Sequence, residues 1–183
     1  MANNSSRTAF NIAFCGIVSA ISVIVMYLSL IPAFAYAVPA IAGMFIWTVG
    51  EQTERKWAYL SYLTVSLLSF ILVPELEADF FLLFFFGYYP TLRHALDKIK
   101  NKVLRYMARL GIFNIAVIIV YNILVIMLSA EEMLEGLEDF GQYALLVFWA
   151  AGNVAFVLYD LCLDTIKMAY IKLLKPKLSI KLK

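Results

Sequence analysis

Residues 8 to 50 contain no Asp, Glu, Lys, Arg or His. About 20 apolar residues carry an α-helix across a bilayer, so this run holds either two crossings or one crossing and a packed loop. Water offers no alternative solution. A soluble chain of 183 residues leaves about 30% of its unfolded surface exposed. With 63% hydrophobic and 15% charged residues, that surface would be largely Leu, Ile, Val and Phe. The composition therefore demands lipid as solvent, and it disfavours a nucleic-acid binder, a disordered tail and a disulfide-rich secreted module. The expected fold is all-α: a polytopic integral membrane protein forming a single transmembrane domain over 1–183.

Six stretches fit crossings: 8–31, 33–50, 57–73, 78–92, 110–129 and 142–163. Pro39 and Pro90 interrupt the second and fourth, because proline removes a backbone donor. Segment 33–39 accordingly reads as an extracellular loop, with its helix starting near Pro39. Six crossings put all fifteen Lys and Arg on one side, which is then the cytoplasmic side of the cell membrane, with both termini inside. The opposite loops carry Glu75, Glu77 and Asp79, then Glu131, Glu132, Glu135, Glu138 and Asp139. A five-helix bundle with an external N-terminus remains open if 8–50 crosses once. Ala33, Ala35 and Ala37 form an A-x-A pattern, but the apolar run far exceeds a signal peptide's h-region. Cys15 and Cys162 fall in the inner half, far apart in sequence and with no His nearby, so a metal site is not expected of them. No metal or other cofactor is expected.

Ala9, Ala13, Gly16 and Ala20 share one face of the first helix. Small residues let a second helix approach closely, and in lipid van der Waals contact is what holds helices together. The face serves either packing within the bundle or docking of a separate membrane subunit. On the last helix Gln142, Asn153, Asp160, Asp164 and Lys167 gather in an arc of about 60° at 3.6 residues per turn. A polar stripe of that length is costly against lipid and belongs against the bundle interior or a wet cavity. Tyr121 and Asn122 of the fifth helix, with Trp149 and Asn153 of the last, supply an aromatic and amide lining suited to a small molecule; interhelical bonding is the competing role. Asp160 and Asp164 are one turn apart, fit for a solvated terminus, a partner contact or a proton relay.

Residues 92 to 110 place Leu92, Leu96, Ile99, Val103, Met107 and Leu110 at helical spacing among Arg93, Lys98, Lys102, Arg105 and Arg109. This pattern predicts a basic amphipathic helix near 92–109 lying in the inner interface, its cations on membrane lipid headgroups. His94 beside Arg93 reads as interfacial, and the tail KLLKPKLSIKLK as a second basic stretch along the headgroups. The acidic outer loops either attract a cationic substrate or simply stay hydrated.

Walker, G-x-S-x-G, H-E-x-x-H and C-x-x-C patterns are absent, so the chain is not expected to be an enzyme. With its short length, six apolar segments, internal termini and the A9-F-N-I-A13 pattern, it resembles the bacterial substrate-binding S components of energy-coupling factor (ECF) transporters. That resemblance implies capture of an external vitamin-like small molecule by Tyr121, Asn122, Trp149 and Asn153. It also implies docking through Ala9, Ala13, Gly16 and Ala20 onto a transmembrane coupling subunit driven by ATPases, and places SLIPAFAYAVP at the gating loop. The alternative is a non-catalytic membrane scaffold of the cell envelope, holding partners through its basic inner face. A third option is a lipid-handling enzyme or flippase using Asp160 and Asp164.

Overall fold

The computed structural model describes residues 2–127 and 143–170, with Lys172. These residues form α1 (Ala2–Met26), α2 (Ala37–Gln52), α3 (Arg55–Leu72), α4 (Leu76–Phe81), a π-helical segment (Leu82–Phe86), α5 (Tyr89–Leu96), α6 (Lys102–Met127) and α7 (Ala144–Ala169). No strand occurs among the described residues. Three helical stretches are long and apolar enough to cross a membrane: Ser5–Leu30, Lys102–Met127 and Ala144–Ala169. The chain divides into two compact units, residues 1–123 and 124–183.

In the first unit α1, α2 and α3 pack on one another in an up-down-up arrangement. Cys15 and Val18 of α1 meet Val49 near the end of α2, whereas Val23 and Met26 meet Val38, Ala42 and Ile46 nearer its start. The reversal is made by two 3-10 turns, Tyr27–Leu30 and Pro32–Phe34. Residues 8–50 thus form two antiparallel helices rather than one continuous rod. Helix α2 begins at Ala37, two residues before Pro39; a proline in the first turn removes a donor that has no intrahelical acceptor there.

The seam between α1 and α3 is built from small polar residues. Ser19 and Ser61 share a hydroxyl hydrogen bond of 2.7 Å, and the Cys15 thiol lies 3.3 Å from Ser61 Oγ. Ala58, Ser61, Val65 and Ser69 make the buried face of α3. Short side chains let the helix backbones approach, and the Ser19 and Ser61 hydroxyls partner one another.

From Leu76 to Leu96 the chain runs back along α3 as a broken helix. Leu82 to Phe86 adopt the wider π geometry, and the Gly87 amide bonds the Leu82 carbonyl at 2.8 Å. Two glycines allow this break to sit close. A Cβ at Gly43 of α2 would lie 2.0 Å from the Phe86 carbonyl oxygen, and one at Gly87 would lie 2.5 Å from the Tyr62 ring. Pro90 stands in the first turn of α5, so the break falls before the proline instead of at it.

The basic amphipathic helix expected over 92–109 is not one helix. Helix α5 ends at Leu96 and α6 starts at Lys102. Asn101 is the reason: its Oδ1 accepts from the amides of Val103 (3.0 Å) and Leu104 (3.4 Å), which caps a new helix start. Across the turn the Arg109 guanidinium donates to Asp97 Oδ1. Arg93 and Arg109, expected on headgroups, are both 4% exposed.

In the second unit α7 carries Phe156, Asp160 and Leu163 as buried residues at i, i+4 and i+7. Its two flanks, residues 128–142 and 173–183, with the loop acids Glu131 to Asp139, Gln142 and the basic tail, lie outside the described residues.

Candidate functional site

Helix α1 presents two different faces. One carries Asn11, Cys15, Val18, Ser19 and Ser22, all buried. The other carries Ala9, Ala13, Gly16 and Ala20, all exposed, and a Cβ at Gly16 would meet nothing within 4 Å. The small-residue stripe is therefore not what joins α1 to α2 and α3; the Cys and Ser face does that. Ile12, Ile17 and Ile24 flank the stripe at 57%, 61% and 68% exposure. An open apolar face with small residues along its centre admits another helix at close range.

A second feature lies at the π break. An open cavity of about 460 Å³ is lined by Tyr62 of α3, Phe84 and Tyr88 of the broken segment, and Ile112, Ala116 and Ile119 of α6. The wider π turn leaves the Leu83 carbonyl for a side-chain partner, and the Tyr62 hydroxyl donates to it at 2.7 Å. Tyr62 and Tyr88 meet edge to face with centroids 5.9 Å apart. Single-turn π segments often mark functional sites, and the volume falls in the range of about 300–1,000 Å³ typical of small-molecule pockets. Periodicity does not reveal this cavity, because FFLLFFFGYY reads simply as apolar.

The third feature is the acidic end. The Tyr36 hydroxyl donates to Glu77 Oε2 at 2.8 Å. Burial, then the charges of Glu77 and Glu75, push the Tyr36 phenol above its ordinary value. Partial burial and the neighbouring Glu77 likewise raise the Glu75 carboxyl. Asp79 departs from the hydrated loop expected of it: it is 1% exposed. Ser69 Oγ donates to Asp79 Oδ1, while Oδ2 is buried without a hydrogen-bond partner. The clue in sequence is position, since Asp79 enters an unbroken apolar run at Phe80 and α4 has already begun at Leu76.

The predicted ligand residues are placed as follows. Tyr121 is partly buried and Asn122 exposed, and the Asn122 amide donates to the Ile118 carbonyl at 2.7 Å. Both belong to the first unit. In the second unit Asn153 donates to the Trp149 carbonyl at 2.9 Å, and Trp149 is 43% exposed. Asp160 is 4% exposed and Asp164 is open, so the polar arc of α7 is divided between a buried and an exposed carboxylate one turn apart. Both cysteines are free, and no cluster of metal-ligating side chains occurs among the described residues.

These features define an all-helical protein with membrane-compatible spans, an open helix face and a cavity beside a π break. Comparison with known protein families, curated proteins and solved structures returned no match.

Proposed function

We propose that this chain is a non-catalytic, membrane-embedded substrate-binding subunit of a small-molecule uptake transporter, of the kind the S components represent, acting with an ATPase-driven coupling subunit. The observation that carries the reading is the exposed Ala9–Ala13–Gly16–Ala20 stripe, which leaves α1 open to a partner helix while its opposite face is filled. In this reading α1, α2, α3, the broken α4–α5 segment, α6 and α7 are the six crossings, and the basic ends and both termini lie in the cytoplasm. Tyr121 and Asn122 in the first unit, and Trp149 and Asn153 in the second, are the candidate ligand contacts, each taken within its own unit, with Asp160 and Asp164 on α7.

Replacing Ala9 and Ala13 together by Leu is expected to abolish co-purification of the coupling subunit and its ATPases, with ligand retention unchanged. Both positions are exposed, so the fold tolerates the change; undiminished co-purification refutes the docking role. Native mass spectrometry of the protein from its own host reads both parts at once. Recovery of neither ligand nor ATPase favours the scaffold reading, which shares the open stripe but needs no ligand.

A further inference from the structure

The cavity at the π break ends against a strip of α6 that changes character abruptly. Ile112, Ile115, Ala116 and Ile119 line the cavity, spaced at i, i+3, i+4 and i+7 along one face. Continuing that face toward the helix start gives Arg109 one turn below Ile112 and Arg105 two turns below. Residues seven apart on a helix drift by only about 20°, so Arg105, Ile112 and Ile119 stand nearly in line. From Arg93 to Arg109 the chain carries six Lys and Arg against the single acid Asp97. Asp97 is taken by Arg109. The Nε of Arg105 is buried without a hydrogen-bond partner, as is that of Arg109, but Arg105, unlike Arg109, is only partly covered as a residue. At the other boundary Leu92, also lining the cavity, is followed directly by Arg93.

A groove that is apolar along its length, open at Ile115 (60% exposed) and bordered at one end by a segment with six Lys and Arg against one acid has the polarity of an anionic phospholipid. We infer that this groove binds one anionic phospholipid from the leaflet that meets the basic end, with an acyl chain against Tyr62, Tyr88 and Ala116 and the phosphate on Arg105. The phosphate meets the partly covered Arg105 side chain, and the acyl chain fills the cavity beside the π turn. This inference goes beyond the transport reading and does not rest on it: the lipid site stands whether or not a water-soluble ligand or a coupling subunit is found.

The test is native mass spectrometry of the full chain released from nanodiscs holding equal phosphatidylglycerol and phosphatidylcholine with matched chains. The parent protein is expected to retain one phosphatidylglycerol in preference to phosphatidylcholine. Arg105→Gln should lower that preference about fivefold, as loss of one cation near an anionic surface does, and leave phosphatidylcholine retention unchanged. Ala116→Phe fills the groove and should remove the tightly held lipid altogether. Circular dichroism and thermal melting report whether that variant folds; if it does not, Ile115→Trp at the exposed rim carries the same expectation. Equal retention of the two lipids by the parent, an undiminished preference in Arg105→Gln, or parental retention in a folded groove-filling variant each overturns the inference.

Discussion

Gly43→Ala adds one methyl group where two backbones touch. The new Cβ would stand 2.0 Å from the Phe86 carbonyl oxygen and 2.8 Å from its carbon. Neither atom belongs to a flexible side chain, so relief requires α2 and the π segment to part by about 1 Å, a shift that close packing resists. Overpacking of this kind costs about 1–3 kcal/mol and occasionally more; because the clash is with main chain, we expect about 3 kcal/mol. Gly16→Ala is the matched control. Its Cβ meets nothing within 4 Å, and alanine is favoured over glycine in a helix by about 1 kcal/mol, so its stability should hold or rise. SDS-driven unfolding from mixed micelles, followed by circular dichroism, measures both. Two variants within about 0.5 kcal/mol of one another, the scatter of innocuous surface changes, would refute the claimed contact between α2 and the break.

Ser69→Ala leaves the buried Asp79 without its hydroxyl donor and should destabilise by about 1–3 kcal/mol in the same unfolding assay, while adding Asp79→Leu should recover most of the loss; a double variant no better than the single contradicts the pairing. At the acidic end Glu75 has its folded-state pKa raised, so the folded chain holds that proton more tightly than the unfolded chain and stability falls as pH rises through the carboxylate range. Lowering the pH from neutral toward that range should therefore raise the unfolding midpoint, and Glu75→Gln should flatten the response; an unaltered pH slope in the variant goes against the assignment.

Much of the bundle was legible in the chain. The limits of α3 follow from the apolar run 57–73, and the start of α2 near Pro39 follows from proline's fixed φ and missing donor. The small-residue stripe of α1 was legible as a face, though not as an open one, because spacing shows which residues lie together and says nothing of what covers them. Residues 92–110 were misread for a related reason. Their apolar period runs unbroken through Asn101, and only the side-chain cap on Val103 and Leu104 divides them into two helices.

Composition alone pointed to an all-helical chain with membrane-compatible spans: 63% hydrophobic content with charges confined to a few segments favours apolar helices whose polar backbone is satisfied internally. Tertiary structure alone decided which polar groups are buried. Ser61, Asp79 and Arg109 are neither more nor less polar in sequence than Ser5, Glu54 and Lys102. Their burial depends on partners far along the chain, such as Ser19 for Ser61 and Asp97 for Arg109, and on a glycine at 43 that lets a carbonyl come within reach. Burying a polar side chain is costly unless it gains a partner, and whether a partner is there is a property of the fold.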